Sequence, residues 1–475
     1  MPQFPAIPHL TNDLNTNSTI MSLTTSLFIL FAGIGPILWA SMSDYYHVRR
    51  FFYLIGLAIF VIASVGCALT NEIWLLVVLR CVQSIGTSGT VSDCWQVTER
   101  GAAFSILFIG QFFGPLVGPV IGGGLASGLG WRSTFWFCAG YGVFLLLFLS
   151  ICLPETYREN AQWEFILPIT SEKPVHSSPY PKNMPYPKAF FSHKLTPSDQ
   201  TAQPSYTTVG SPLGQSSPDV SRLLSTTPTP ALSTTSIPAS SSAIGTSMKR
   251  RFNPLASITM LKYTFVWLTA IQTGICFGTM FTIETIIPEL FVKAYNFRAW
   301  QTGLSFLGAG IGNLLGSLVA GRLSDYLLKR SRRQRGGIAR AEDRLTSNAW
   351  PGGFILVPFG VLLFGWGVNA ELIVWASIVG FGIVCFGMSQ VYAAGSAYLV
   401  DAIPEKSASV TAAANLLRMA MACILSVTAH PVNDHIGPGY LVTILAGLNF
   451  LGMICFAIVK FKGMHMRRKA GFQES

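Results

Sequence analysis

Residues 19–50 read TIMSLTTSLFILFAGIGPILWASMSDYYHVRR. From Thr19 to Ser43 there is no charged residue; then come an acid, Asp44, and a basic pair, Arg49 and Arg50. An α-helix rises about 1.5 Å per residue and a bilayer core is about 30 Å thick, so about 20 apolar residues suffice to cross it. The stretch therefore reads as a membrane-spanning helix with its charges held just beyond one end. Reading outward from it, apolar blocks recur near 19–43, 51–70, 73–92, 102–128, 131–153, 264–288, 300–323, 352–369, 371–400, 408–430 and 438–461, eleven in all. The expected fold class is an all-α integral membrane protein, because a chain in lipid must satisfy its backbone groups internally.

Composition agrees. Half of the 475 residues are hydrophobic and 11% are charged, against about a quarter charged in a soluble domain. The net charge of +11 does not imply a nucleic-acid partner, because the basic residues follow the positive-inside rule. Arg49 and Arg50, Arg100, the run from Lys329 to Arg344, and the tail from Lys460 to Lys469 all fall on one side when the spans are counted. Arg132, Lys293 and Arg298 fall on the other. The basic side is assigned to the cytoplasm.

Eight of the nine cysteines sit inside apolar blocks and none shows the spacing of a metal site or a disulfide framework. No metal, cofactor or enzymatic chemistry is expected: there is neither a paired His–Glu helix motif nor a Cys-x-x-Cys. His47 reads as a solvated member of a basic loop. Residues 1–18 lack Lys and Arg, so no cleavable signal is seen, and they read as an extracellular start carrying a glycosylation sequon at Asn17.

Two apolar halves, 19–153 and 262–461, flank a central segment, 154–261. Within it, 195–248 is rich in Ser, Thr and Pro and reads as a disordered cytoplasmic loop. Residues 462–475 read as a cytoplasmic tail. The halves echo one another: Asp325 followed by the basic pair Lys329 and Arg330 repeats, one residue tighter, the pattern of Asp44 followed by Arg49 and Arg50. Internal duplication of this kind is how secondary transporters are built, with the substrate site between the repeats.

Several polar residues interrupt the apolar blocks. Arg80 lies inside 73–92, where a guanidinium must face the bundle or water. It stays charged, so its role is to bias a nearby acid or to hold an anion. Arg418 and Asn415 share a helix face; Arg418 reads equally as a site residue or as a side chain snorkelling to the cytoplasmic surface. Gln111, Gln272, Asn313 and Gln390 are substrate-cavity candidates, each of which can instead bond a neighbouring helix. Glu284 reads as a wet residue at the outer mouth. In 114–124, Gly114, Gly118 and Gly122 recur every four residues beside Pro119 and Gly123. Such a face lets another helix approach closely.

These motifs resemble those of the major facilitator transporters. Asp44 with Arg49 and Arg50 resembles the loop after that family's second helix, and Arg80 with Gln83 and Gly86 its fourth-helix motif. The stretch from Gly114 to Gly123 is similar to the fifth-helix antiporter motif, followed by Gly130-Trp131-Arg132 and by Pro154-Glu155-Thr156. In the second half, Ala341-Glu342-Asp343-Arg344-Leu345 and Tyr398-Leu399-Val400-Asp401 resemble the twelve-spanner drug:proton antiporters common in fungi.

The resemblance implies a two-half helical bundle exporting small organic molecules or drugs by proton antiport and alternating access, most simply in the plasma membrane. It implies that Arg80 serves proton coupling. Asp44, Arg49, Arg50, Asp325, Lys329 and Arg330 would form the cytoplasmic gate, and the glycine helix a packing joint. Partners are a small-molecule substrate and the bilayer. A non-transporting sensor and an importer of the same superfamily are the alternatives. The family's first helix normally precedes a segment like Pro5-Ala6-Ile7-Pro8, which here follows Met1 closely. The expectation is eleven spans, an external start and impaired transport.

Overall fold

The computed structural model describes residues 3–14, 16–46, 48, 50–87, 100–152, 257–334, 340–345, 347–370 and 372–472. They belong to one compact unit formed by Met1–Arg158 and Lys249–Ser475. The expected disordered loop, 195–248, lies outside the described residues.

The described chain is helical, with no strand. A 3-10 turn, Phe4–Ala6, leads into α1 (Ile7–Asp13). The first half continues as α2 (Ser18–Tyr46), α3 (Arg50–Leu69), α4 (Ile73–Gly86), α5 (Arg100–Leu129) and α6 (Arg132–Cys152). The second half has α7 (Thr264–Tyr295), α8 (Ala299–Gln334), the short α9 (Ala349–Pro351), α10 (Val357–Asn369), α11 (Val374–Ala402), α12 (Ser407–Ile436) and α13 (Pro438–Lys469). A wide turn, Gly352–Leu356, joins α9 to α10 in one continuous rod. Among the described residues nine helices are long and apolar enough to cross a membrane. Two shorter apolar helices, Ile73–Gly86 and Phe113–Leu129, occupy the other two expected positions.

The internal duplication extends to the packing. In the first half α3 lies against α4 and α6, and α2 against α4. In the second half α10 lies against α11 and α13, and α8 against α11. The halves meet along two helix pairs, α5 with α8 and α2 with α12. The helix α7 packs on α12, and the short segment 4–13 holds the matching place beside α5 through its first turn.

Several helices run past their expected ends, because bilayer thickness sets a minimum apolar length and not a stop. Expected to end at Pro288, α7 continues to Tyr295. Pro288 removes one donor but sits where the helix is already held on all sides. The stop is Asn296, left-handed at φ 53°, whose N–H caps the carbonyls of Phe291 and Val292. The tail expected from 462 is the continuation of α13 as far as Lys469, with Arg467 buried. The start packs against the bundle: Phe4 is buried and stacks on Phe306 of α8 with ring centroids 5.9 Å apart. Asp13 accepts a hydrogen bond from Trp131 Nε1 at 2.8 Å. The first residues are apolar enough to pack, while the polar His9, Asp13 and Asn17 stay exposed.

Candidate functional site

The interface between halves is built from backbone contact. A Cβ placed on Gly303 of α8 would lie 2.5 Å from the carbonyl oxygen of Pro119, and one on Gly123 of α5 would lie 2.6 Å from the carbonyl oxygen of Ala299. Glycine at both positions is what allows the rods to touch. The contact register is offset from the four-residue glycine row: Pro119 and Gly123 face α8, Gly122 is buried, Gly118 is half-buried, and Gly114 meets open space. Pro115 and Pro119 lie within α5 without ending it. On the other seam, a Cβ on Gly33 of α2 would stand 2.7 Å from Met419 Cβ of α12.

Arg80 is 3% exposed on α4. Its Nη1 donates to Gln83 Oε1 at 2.7 Å, and Gln83 Nε2 donates to Ser64 Oγ of α3 at 2.7 Å. The guanidinium carbon lies 4.2 Å from the ring centroid of Phe28 on α2. Nη2 is buried without a partner, and no described carboxylate forms an ion pair with Arg80.

Arg418 does not snorkel. It is 6% exposed, three turns into α12, and clasped between the rings of Phe277 on α7 and Tyr392 on α11. Packing against two neighbouring helices leaves the long side chain no route to the surface. Its Nη2 donates to Asn415 Oδ1.

Glu284, expected at a wet mouth, is 1% exposed, and its Oε2 has no hydrogen-bond partner. It lies in a run of α7 that is buried from Gln272 to Pro288, since α11, α12 and α13 cover that helix. A charged cluster that reaches solvent through Lys293 lies further along the helix. There Glu289 holds Lys293, and His430 Nδ1 of α12 sits 2.9 Å from Glu289 Oε2, off the line a hydrogen bond needs.

Of the cavity candidates, Asn313 and Gln390 are both buried where α8 meets α11, each with its own hydrogen bonds across that contact. Ser389 Oγ donates to Asn313 Oδ1 at 3.2 Å, Gln390 Nε2 donates to Gly316 O at 2.7 Å, and Asn348 Nδ2 donates to Gln390 Oε1 at 2.7 Å. Gln272 is apart from them, its Nε2 near Cys276 Sγ and its Oε1 unpartnered. The side chain of Gln111 lies outside the described residues.

The expected gate is only partly described: Arg49, and the side chains of Asp44 and Asp325, lie outside the described residues, as does His47, read as a solvated loop residue. Arg50 opens α3 and donates to the carbonyl of Ser150 on α6. Lys329 and Arg330 are exposed at the end of α8. A stronger lattice joins the two second-half motifs at this basic end. Arg344 Nε donates to Asp401 Oδ2 at 2.7 Å. Glu342 receives Arg467 Nε at 2.9 Å and Nη2 at 3.0 Å, both side chains 7% exposed. Lys460 Nζ donates to the carbonyls of Glu342 and Leu345. No local sequence signal pairs residues so far apart; the composition of 341–345 and 398–401 was the available hint. Among the described residues no group of three or more His, Cys, Asp or Glu could hold a metal ion.

Two helical repeats meeting along paired, glycine-lined seams define a two-half membrane transporter. The family profile of the Major Facilitator Superfamily matches residues 2–427, and the chain belongs to that family. It is 29% identical over 451 residues to the MFS transporter fsa7 of Fusarium sp. (strain FN080326), a match covering 93% of this chain and 75% of that protein. It is 26% identical over 529 residues to the MFS antiporter QDR3 of Candida albicans, covering 98% and 75%. The multidrug transporter AQR1 of Candida glabrata is 26% identical over 491 residues, covering 98% and 74%. The fold is similar to that of the human organic anion transporter MFSD10, with a TM-score of 0.52, 15% identity, and coverage of 94% of this chain and 88% of that one.

Proposed function

We propose that this transporter exports small organic molecules, drugs among them, in exchange for protons. The observation that carries the reading is the α5–α8 seam, where Pro119, Gly123 and Gly303 put two backbones in contact. A seam without intervening side chains lets the halves rock as bodies around a central site, which is alternating access. Similarity to proteins named as an antiporter and a multidrug transporter supports export.

In this reading Glu284 carries the proton, being a buried carboxyl with an unpartnered oxygen, and Arg80, which keeps its charge, sets the field in which a proton is exchanged. Asp44, Arg49, Arg50, Asp325, Lys329 and Arg330 gate the basic end, which faces the cytoplasm of a plasma-membrane protein. The proton gradient is the energy source and no cofactor is needed.

The test is efflux of cationic rhodamine 6G and of anionic 2-naphthoate, side by side, from proteoliposomes or cells under an imposed proton gradient. Efflux that follows the gradient and stops with a protonophore is expected. Accumulation in the gradient's direction would refute export, and gradient-independent movement would refute coupling. A labelled cysteine at Ser225 should react only after the membrane is opened; reaction from outside intact cells would invert the topology.

A further inference from the structure

We propose that Arg418 anchors a site for an organic anion, a carboxylate carried on a flat apolar body, between α7, α11 and α12. The proposal names a substrate class for the transport reading above and rests on that reading for its place in a transport cycle.

Arg418 is buried to 6% exposure. Its described polar partner is Asn415, a neutral carboxamide one turn back on the same helix. Its Nε is buried and has no partner. The described ion pairs involve Glu289, Glu342 and Asp401, and none reaches Arg418. A full positive charge thus sits inside the bundle without a described counter-charge.

Burying an unpaired cation is strongly unfavourable, and contact with aromatic faces offsets only part of that cost. Arg467 shows the alternative within the same chain, since it is buried against a carboxylate that takes two of its N–H groups. Arg418 has the donors but, among the described residues, no carboxylate to receive them.

The surroundings define what fits. The guanidinium carbon lies 4.9 Å from the ring centroid of Phe277 and 4.6 Å from that of Tyr392. These two rings stand 4.9 Å apart and inclined at 68°. Gly274 brings the α7 backbone close, for a Cβ there would lie 3.3 Å from Arg418 Cα. Phe277 follows one turn later, over the charge. A planar fork of N–H donors flanked by aromatic faces suits a carboxylate, which guanidinium binds in a matched plane. The rings suit the apolar body that carries it. Arg80 also lacks a described acid, but its carboxamide partner is fixed onward to Ser64, which ties it into the α3–α4 packing.

The experiment uses the full chain in phosphatidylcholine nanodiscs with tritiated 2-naphthoate as the probe. Unlabelled 2-naphthoate, neutral 2-naphthamide and cationic 2-naphthylmethylammonium compete against it. The expected result is a preference for naphthoate over naphthamide of about tenfold or more, equivalent to about 1.4 kcal/mol. Arg418→Gln should abolish that preference while naphthamide competes as before, and Arg418→Lys should retain part of it. Equal competition by acid and amide on the unaltered chain overturns the proposal whether or not any variant folds. So does a full preference retained in Arg418→Gln. Nanodiscs containing phosphatidylglycerol separate substrate from lipid. An Arg418-dependent loss of naphthoate binding there would give the charge to a lipid phosphate and overturn the substrate assignment. Gradient-driven rhodamine 6G efflux with equal binding of naphthoate and naphthamide would sink this inference and leave export standing. Anion binding without gradient-driven efflux would do the reverse.

Discussion

Replacing Gly303 with alanine tests whether the α5–α8 seam is a moving joint. The added Cβ would lie 2.5 Å from the carbonyl oxygen of Pro119 and 3.3 Å from Gly123 Cα. Both neighbours are backbone, so no side chain can swing away; the helices must part by several tenths of an ångström. Overpacking of this sort costs about 1–3 kcal/mol. The cost falls on the arrangement in which the seam is closed, so the balance between seam-closed and seam-open arrangements should move by about fivefold to a hundredfold. Gly124 is the control. It lies on the same helix with nothing within 4 Å of its Cβ position, and Gly124→Ala should be neutral or slightly stabilising, by about 0.5–1 kcal/mol. The assay pairs rhodamine 6G efflux with the labelling rate of a cysteine placed beside the seam. Gly303→Ala should change both, with cysteine labelling faster and efflux slower, while thermal unfolding moves little. Efflux and labelling in Gly303→Ala that match Gly124→Ala would refute the joint.

Glu342→Ala strips a buried Arg467 of two charge-assisted hydrogen bonds, a loss of about 3–5 kcal/mol. Thermal unfolding in detergent should fall by several degrees and recover largely in Glu342→Leu combined with Arg467→Met; an unchanged midpoint in Glu342→Ala would contradict it. Glu284→Gln keeps the shape of the side chain but cannot exchange a proton. Substrate binding should survive and efflux should cease to track the proton gradient, whereas unaltered gradient dependence would remove Glu284 from coupling. Arg80→Ala and Arg80→Lys should both lose coupled efflux, since lysine lacks the planar fork that meets Gln83 and the Phe28 face; full activity in Arg80→Ala would leave that residue a packing role alone.

The bundle was legible because lipid imposes a length on every span, and the eleven apolar blocks could be counted before any contact was known. The repeat was legible because each half carries an acid at a helix end followed shortly by a basic pair, Asp44 with Arg49 and Arg50 and Asp325 with Lys329 and Arg330. Helix ends were not, since the stop at Asn296 depends on a backbone conformation and Pro288 looked like a better one. Burial depth was also hidden. The sequence reads Glu284 as a wet mouth residue and leaves Arg418 open between a site and the surface, yet Arg418 is enclosed by Phe277 and Tyr392 and Glu284 by the packing around α7, which come from other parts of the chain. The Glu342–Arg467 pair joins residues 125 apart, and nothing local in either segment announces the other.

That pair also bears on how the protein is made. Glu342 leaves the ribosome long before Arg467, and until the last helix is in place its carboxylate has no guanidinium to meet. A chain that stops short of Arg467 strands an acid in the wall between α8 and α13, together with the carbonyls that Lys460 would have covered. The final turn of α13 thus reports on completeness: only a fully translated second half can close over its own charge, and unfinished copies expose a polar wound where quality control can find it.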